Sequence, residues 1–112
     1  SLNHYAYGAV QDFIIEKVLG LSHVDESSEI LTMKLEPYFD RRLDWVKGSF
    51  KTSNGQIEIS WKWRNQKIID LEVEIPHDTQ LVYIKGNHEK SILNSGTTTL
   101  EVVENDDFRS DF

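Results

Sequence analysis

Carboxylates that share one face of a predicted element are the first residues in this sequence that could do chemistry. Asp12 and Glu16 lie four residues apart in a segment with helical periodicity, and Asp70, Glu72 and Glu74 alternate along a predicted strand. A pair of converging carboxyl groups could act as general acid and general base. Like charges at these spacings are also typical of a solvated face. The opposite face of the strand is apolar, so we interpret both sets as solvent-facing and assign no catalytic residue.

Three tryptophans could bind a sugar, because the C–H faces of a sugar ring stack on aromatic rings. Trp61 and Trp63 alternate with polar residues, on the apolar side of their predicted strand. That pattern favours core packing for both. Trp45 stays open between the two interpretations. If it is exposed, with Tyr38 and Phe39 nearby, sugar binding becomes an open interpretation again.

The histidines and cysteines give no sign of a metal or cofactor site. The four histidines are scattered along the chain, at His4, His23, His77 and His88. No two of them have the three- or four-residue spacing of ligands on one helix face. The chain has no cysteine, which excludes a disulfide scaffold, a thiolate zinc site and a cysteine nucleophile. No phosphate loop or nucleophile elbow is present, and we expect no cofactor.

Composition indicates a single acidic domain. The 112 residues carry 12 basic and 19 acidic side chains, for a formal net charge of −7. This charge argues against a general nucleic-acid binder and against docking on an anionic membrane. No apolar run approaches the roughly 20 residues that a membrane-spanning helix needs. The chain begins at Ser1 and its single methionine is Met33, so we expect a piece of a longer protein.

Hydrophobic periodicity divides the chain into one helix and a series of strands. Residues 1–20 have helical periodicity, with Asn3 as a cap and Gly20 just past the end. The apolar arc of this helix is wider than packing on one small sheet requires, which predicts burial against additional protein. From residue 30 the period changes to two, and the predicted strands span 30–36, 43–52, 56–63, 67–75, 79–85 and 97–103.

Turn signals between these strands complete the fold prediction. Asn54-Gly55 predicts a hairpin with a type I′ turn, and Asn65-Gln66 predicts a second hairpin. Residues 85–91 are predicted as a loop. Short strands at this spacing favour a mainly β fold: an antiparallel β-sandwich of Greek-key type, preceded by one N-terminal α-helix.

Two stretches of the sequence resemble a known family. They are SLNHYAYGAV at residues 1–10, and LDWVKGS at 43–49 followed by NGQI at 54–57 and WKW at 61–63. Together with the segment VEIPHDTQLVYI at 73–84, they resemble the C-terminal part of bacterial alpha-L-rhamnosidases. The resemblance covers roughly residues 1–86.

The resemblance implies a division of the chain into four parts. Residues 1–21 would be the last helix of the (α/α)6 catalytic barrel, 22–29 a linker, 30–103 a C-terminal β-sandwich and 104–112 an acidic tail. The partner of the apolar helix would then be the remainder of the barrel.

The resemblance also implies the chemistry of the parent enzyme. Members of the family hydrolyse terminal alpha-L-rhamnose from glycosides with inversion, which requires an acid and a base about 6.5–9.5 Å apart. The catalytic carboxylates of the family lie upstream of the SLNH motif, so this segment alone is expected to be inactive. His4 matches the histidine of that motif, and its expected role is substrate binding through a hydrogen bond to a rhamnose hydroxyl.

Two alternatives remain open at the level of sequence. The sandwich could be a non-catalytic carbohydrate-binding module, which predicts two or more exposed coplanar aromatic rings on one face. The chain could instead be an interaction domain that forms a homodimer through the apolar residues between 5 and 19.

Overall fold

The computed structural model describes residues 18–25, 29–86 and 88–103. Within these ranges lie eight strands: β1 (Leu21–Asp25), β2 (Leu31–Leu35), β3 (Trp45–Thr52), β4 (Gly55–Trp63), β5 (Ile68–Ile75), β6 (Thr79–Ile84), β7 (Lys90–Leu93) and β8 (Gly96–Val103). The predicted N-terminal helix, except for its last three residues, lies outside the described residues, as does His4. The predicted acidic tail at 104–112 also lies outside them.

The strands form two four-stranded sheets that enclose one apolar core. The strand orders are β1-β2-β6-β7 in one sheet and β3-β4-β5-β8 in the other. Alternation along the strands decides which side chains face the core, because successive side chains point to opposite faces of a sheet. In β4, for example, Ile57, Ile59 and Trp61 are buried while Glu58 and Lys62 are exposed. The predicted β-sandwich is confirmed.

The chain moves between the sheets three times, between β2 and β3, between β5 and β6, and between β7 and β8. Strands β3, β4 and β5 are joined by hairpins, and β8 returns to pair with β5. Among the described strands one pair, β2 with β6, is parallel, whereas the sequence predicts antiparallel pairing. A parallel pair needs a long crossover, and the excursion through β3–β5 supplies it.

Two strands differ from the sequence prediction. Residues 22–25, predicted as part of a linker, lie in β1, and Leu21 in the same strand pairs with Leu35 of β2. Residues 90–93 form β7, although the predicted loop extends to residue 91. Both are short edge strands with little alternation, so they lack the period that identifies a strand. The division of the chain into domains stays a prediction.

The first hairpin is confirmed, but the predicted turn type is wrong. Thr52 pairs with Gly55, so Ser53 and Asn54 form the turn. Gly55 has a φ of 133°, whereas Asn54 is not among the described residues with positive φ. A type I′ turn requires positive φ at both central residues, so this turn is not of that type. The Thr52 hydroxyl stabilises it by accepting a hydrogen bond from the Asn54 backbone N–H at 3.1 Å.

Candidate functional site

An open groove lies on the outer face of the sheet formed by β3, β4, β5 and β8. Its volume is about 320 Å³. We call it the outer groove, and its lining side chains that face away from the core are Trp45, Lys47, Ser60, Lys62, Asp70, Glu72 and Thr99. This concave surface carries one aromatic ring, two ammonium groups, two carboxyl groups and two hydroxyl groups from the described residues.

The strand register brings these side chains together from four distant parts of the sequence. Lys62 of β4 pairs with Trp45 of β3 on one side and with Asp70 of β5 on the other. Directly opposed residues on one face have Cβ atoms about 4.5–5.5 Å apart. A first row of the groove therefore places the aromatic ring beside an ammonium and a carboxylate.

The second row of the outer groove is two residues along the strands, on the same face. Ser60 pairs with Lys47 and with Glu72, and Glu72 pairs in turn with Thr99. Glu72 faces outward, as the alternating pattern of β5 predicts. The prediction that Asp70, Glu72 and Glu74 share the solvent-facing side of this strand is confirmed.

Arg64 fixes the charge state of Asp70 at one end of the groove. Its Nε donates a hydrogen bond to Asp70 Oδ2 at 3.2 Å, and its Nη2 donates to both Asp70 Oδ1 and Glu101 Oε2. The hydrogen bonds from Arg64 lower the pKa of Asp70, and the charge of Lys62 lowers it further. The two carboxylates raise the pKa of Arg64. Asp70 is therefore a carboxylate that accepts hydrogen bonds, and it lacks the raised pKa of a general acid.

The tryptophans divide as the alternating pattern predicts for β4, and Trp45 proves to be exposed. Trp61 is 1% exposed and meets the ring of Phe39 edge to face, with centroids 5.3 Å apart. Trp63 is half-buried against the core, and the guanidinium of Arg41 lies 4.7 Å from its ring centroid. Trp45 is 41% exposed and lines the outer groove.

The aromatic cluster that would favour sugar binding is only partly present. Phe39 is buried, so it cannot join Trp45 and Tyr38 in an exposed group. In the described ranges Trp45 is the one aromatic residue among the large hydrophobic side chains that are exposed. Two exposed coplanar rings are therefore not found there.

A second ionic cluster stabilises the loop between β2 and β3. The guanidinium of Arg42 donates two hydrogen bonds to Asp40, from Nη2 to Oδ2 at 2.6 Å and from Nε to Oδ1 at 2.9 Å. The Arg42 backbone N–H donates to the same carboxylate at 2.8 Å. These hydrogen bonds lower the pKa of Asp40 and raise that of Arg42. The cluster closes a turn within three residues, which is a structural role.

The other candidates for catalysis or metal binding do not form a site in the described part of the chain. His77 and His88 are exposed, and His77 Nδ1 lies 3.2 Å from the carboxylate of its neighbour Asp78. No group of three or more histidine or acidic residues in the described part of the chain could hold a metal ion. Nor does any helix there have the length and apolar character to cross a membrane. Asp12 and Glu16 lie outside the described residues.

Sequence reasoning did not single out Lys47, Lys62, Ser60 or Thr99. Each is a polar residue that alternates with apolar ones, and nothing in its own strand marks it for binding. The signal that connects them is the register between strands. Hairpin geometry could have supplied that register for β3, β4 and β5, but not for β8, which pairs with β5 after an excursion through the other sheet.

Comparison with known proteins gives a consistent result. The family model for the bacterial alpha-L-rhamnosidase C-terminal domain matches residues 32–99, which is more than half of the chain. An alpha-L-rhamnosidase of Formosa agariphila is 30% identical over 79 residues, covering 70% of this chain and 8% of the relative. An alpha-L-rhamnosidase of Alteromonas sp. is 27% identical over 88 residues, covering 79% of this chain and 9% of the relative. The chain thus spans less than a tenth of these relatives.

Solved structures show the same fold. An alpha-L-rhamnosidase from Aspergillus terreus superposes with a TM-score of 0.71 at 24% identity, over 89% of this chain and 12% of that one. An alpha-L-rhamnosidase from Dictyoglumus thermophilum superposes with a TM-score of 0.64 at 15% identity, over 82% of this chain and 13% of that one.

Proposed function

The chain belongs to the family of bacterial alpha-L-rhamnosidase C-terminal domains, and from this premise we propose that it is an accessory, non-catalytic segment of an alpha-L-rhamnosidase. The parent enzyme would hydrolyse terminal alpha-L-rhamnose from glycosides with inversion. The role of the segment would be structural: it would cover the flank of the catalytic barrel and contain the last helix of that barrel.

The observation that carries this proposal is the small share of the relatives that the chain matches, 8% and 9%. More than nine tenths of each relative's length remains for a catalytic domain. The ionic groups of the described residues agree with a non-catalytic role. The pKa values of Asp40 and Asp70 are both lowered by arginine partners, which is the opposite of what a general acid at neutral pH needs.

The junction with the predicted helix supports a structural role. Val18, Leu19 and Leu21 are buried in the core of the sandwich. The backbone here is tied to the end of β2, because the Val18 carbonyl accepts from the Tyr38 N–H at 2.8 Å and the Gly20 carbonyl accepts from the Glu36 N–H at 2.9 Å. A helix ending at this point would join the sandwich without slack and would hold it rigidly against the barrel.

An activity assay tests the absence of catalysis. The purified 112-residue chain is incubated with an aryl alpha-L-rhamnoside, beside a complete alpha-L-rhamnosidase as the positive control. Near-ultraviolet circular dichroism of the tryptophans verifies that the chain is folded. We expect no release of the aryl group above the uncatalysed rate, and measurable turnover by the folded chain would contradict the proposal.

His4 has a proposed role in the parent enzyme, where it would donate a hydrogen bond to a rhamnose hydroxyl. Replacing it by Ala in the complete enzyme should raise KM for the rhamnoside, since one polar contact to the substrate is lost. Values of kcat and KM both equal to those of the wild-type enzyme would show that His4 does not contact the sugar.

A second candidate function is carbohydrate binding by the sandwich itself. The exposure of Trp45 inside a groove with hydrogen-bonding side chains favours it. Titration of the folded chain with a rhamnoside, followed by tryptophan fluorescence, tests this function at the level of the whole chain.

A further inference from the structure

We propose that the outer groove is a binding site for one neutral pyranose ring, which stacks on Trp45 and is held by hydrogen bonds from the two rows of side chains beside it. This inference rests on the second candidate function, carbohydrate binding, and assigns it a site and a ligand class. Its support comes from four features of the groove: its aromatic ring, its hydrogen-bonding groups, its charge balance and its size.

Trp45 supplies the apolar surface that a sugar ring needs. It lies at the first position of β3, which is an edge strand of its sheet, and it is 41% exposed. The face of an indole ring is electron-rich, so it attracts the slightly positive C–H groups on one side of a pyranose. Trp61 and Trp63 face the other side of the sheet, so of the three tryptophans it is Trp45 that provides this surface to the groove.

The hydrogen-bonding groups match a ring that carries several hydroxyls. Each hydroxyl can both donate and accept, so a matching site needs both kinds of partner. The ammonium groups of Lys47 and Lys62 donate, and the carboxylates of Asp70 and Glu72 accept. Hydrogen bonds to ionised groups are stronger than those between neutral groups. Asp70 is kept ionised by Arg64, which makes it a permanent acceptor.

Among the described residues the charges that line the groove balance, which favours a ligand without charge. Lys47 and Lys62 are the lining cations and Asp70 and Glu72 the lining anions, while Arg64 bridges Asp70 and Glu101 beside the groove. A uronic acid would add a carboxylate to a surface that already holds Asp70 and Glu72. An amino sugar would meet the two lysines, so both charged classes are disfavoured relative to a neutral glycoside.

The size of the groove suits a small ligand. A volume of about 320 Å³ is at the lower end of the range found for small-molecule sites, about 300–1,000 Å³. The groove is open on the solvent side, so a glycosidic bond at one end of the ring could extend outward. Such a site is expected to bind weakly, with a Kd of about 1–10 mM.

The test follows the indole N–H signals of the 15N-labelled chain during titration with methyl alpha-L-rhamnopyranoside. Trp45→Phe identifies the signal of Trp45. We expect that signal to shift with saturation below about 100 mM ligand, while the signals of the other two tryptophans move less. Galacturonic acid, a charged sugar, should bind at least about fivefold more weakly.

Paired substitutions locate the site. Trp45→Ala should weaken binding about tenfold, since it removes the stacking surface. Glu72→Gln should weaken it about fivefold, since a neutral amide oxygen replaces an ionised acceptor. Glu74→Gln is the matched control, because Glu74 lies two residues from Glu72 on the same face but does not line the groove. It should leave the Kd within about twofold. These Kd values are read from ligand-observed saturation-transfer signals, which do not depend on Trp45.

Each contrary result has a distinct meaning. Saturable binding that Trp45→Ala and Glu72→Gln leave unchanged would overturn the outer groove as the site, while the second candidate function would stand. No binding by the folded chain at about 100 mM would overturn both. Tighter binding of galacturonic acid would overturn the neutral ligand class.

Discussion

Gly20 lies so close to the backbone of Glu36 that no other residue fits there: a Cβ atom on Gly20 would be 1.8 Å from the Glu36 carbonyl oxygen. The approach is held by the hydrogen bond from the Glu36 N–H to the Gly20 carbonyl, at 2.9 Å. Gly20 also has a φ of 72°, in the left-handed region that disfavours side chains. This glycine therefore sets the path by which the chain enters the sandwich.

Gly20→Ala should be severely destabilising. The positive φ costs about 1–3 kcal/mol, and moving the Glu36 carbonyl away costs roughly as much again. We expect a loss of about 3 kcal/mol or more in the free energy of unfolding, measured by urea denaturation. Gly96→Ala is the control, since Gly96 has a φ of 110° but no atom within 4 Å of the added Cβ. Equal losses for both variants would contradict the steric argument.

The edge-to-face contact of Phe39 with Trp61 leads to a second prediction. Phe39 is 2% exposed, so Phe39→Ala removes a buried ring from the core and should lower the free energy of unfolding by about 3–5 kcal/mol. Urea denaturation followed by near-ultraviolet circular dichroism measures this loss. Lys51→Ala, on the exposed face of β3, should change the stability by less than about 0.5 kcal/mol. If Phe39→Ala also lost less than about 0.5 kcal/mol, the ring of Phe39 would not pack in the core.

Long alternating strands are the part of this fold that sequence alone predicts. The strand predicted at 56–63 is observed at 55–63, and that predicted at 67–75 is observed at 68–75. Strong alternation makes this possible, since only one register buries every apolar residue. β1 and β7 escape prediction because edge strands need few buried residues. In β7 only Leu93 is buried, and Ile92 next to it is 52% exposed.

The outer groove illustrates what pattern cannot supply. Alternation correctly places Asp70 and Glu72 on the outer face of β5. It cannot show that Lys62 lies between Trp45 and Asp70, because that contact depends on the pairing of three strands. The sequence pattern of β3 likewise does not predict whether Trp45 is exposed, because apolar and polar residues do not alternate strictly in this strand. Alternation has to be combined with hairpin geometry to give this row, and prediction from the sequence ends at β8, which no hairpin joins to β5.

Asn54 connects the first hairpin to the turn between β5 and β6. Its Nδ2 donates to the Asp78 carbonyl at 3.0 Å. Asn54→Asp replaces this donor by a carboxylate that faces a carbonyl oxygen, so we expect a loss of about 1–2 kcal/mol in the free energy of unfolding. The same change at exposed Asn94 is the control and should cost less than about 0.5 kcal/mol. Equal effects in urea denaturation would show that added charge, and not the lost hydrogen bond, is responsible.

The ion pair between Asp40 and Arg42 should make stability depend on pH under acidic conditions. The pKa of Asp40 is lower in the folded chain than its unfolded value of about 3.9, so the unfolded chain binds more protons between the two values. The stabilisation is therefore complete above about pH 4 and is lost as the pH falls through the folded pKa.

Asp40→Asn should remove this contribution. Free energies of unfolding in urea at several values between pH 7 and pH 2.5 should decrease less steeply below about pH 4 in the variant than in the unmodified chain. Asp70 has the same direction of shift and remains in both proteins, so the dependence should be reduced and not abolished. Asp44→Asn removes a charge from an exposed position in the same loop and serves as the control. If Asp40→Asn and Asp44→Asn reduce the pH dependence of the free energy of unfolding equally, the hydrogen bonds from Arg42 do not cause it. General charge repulsion would then be the cause.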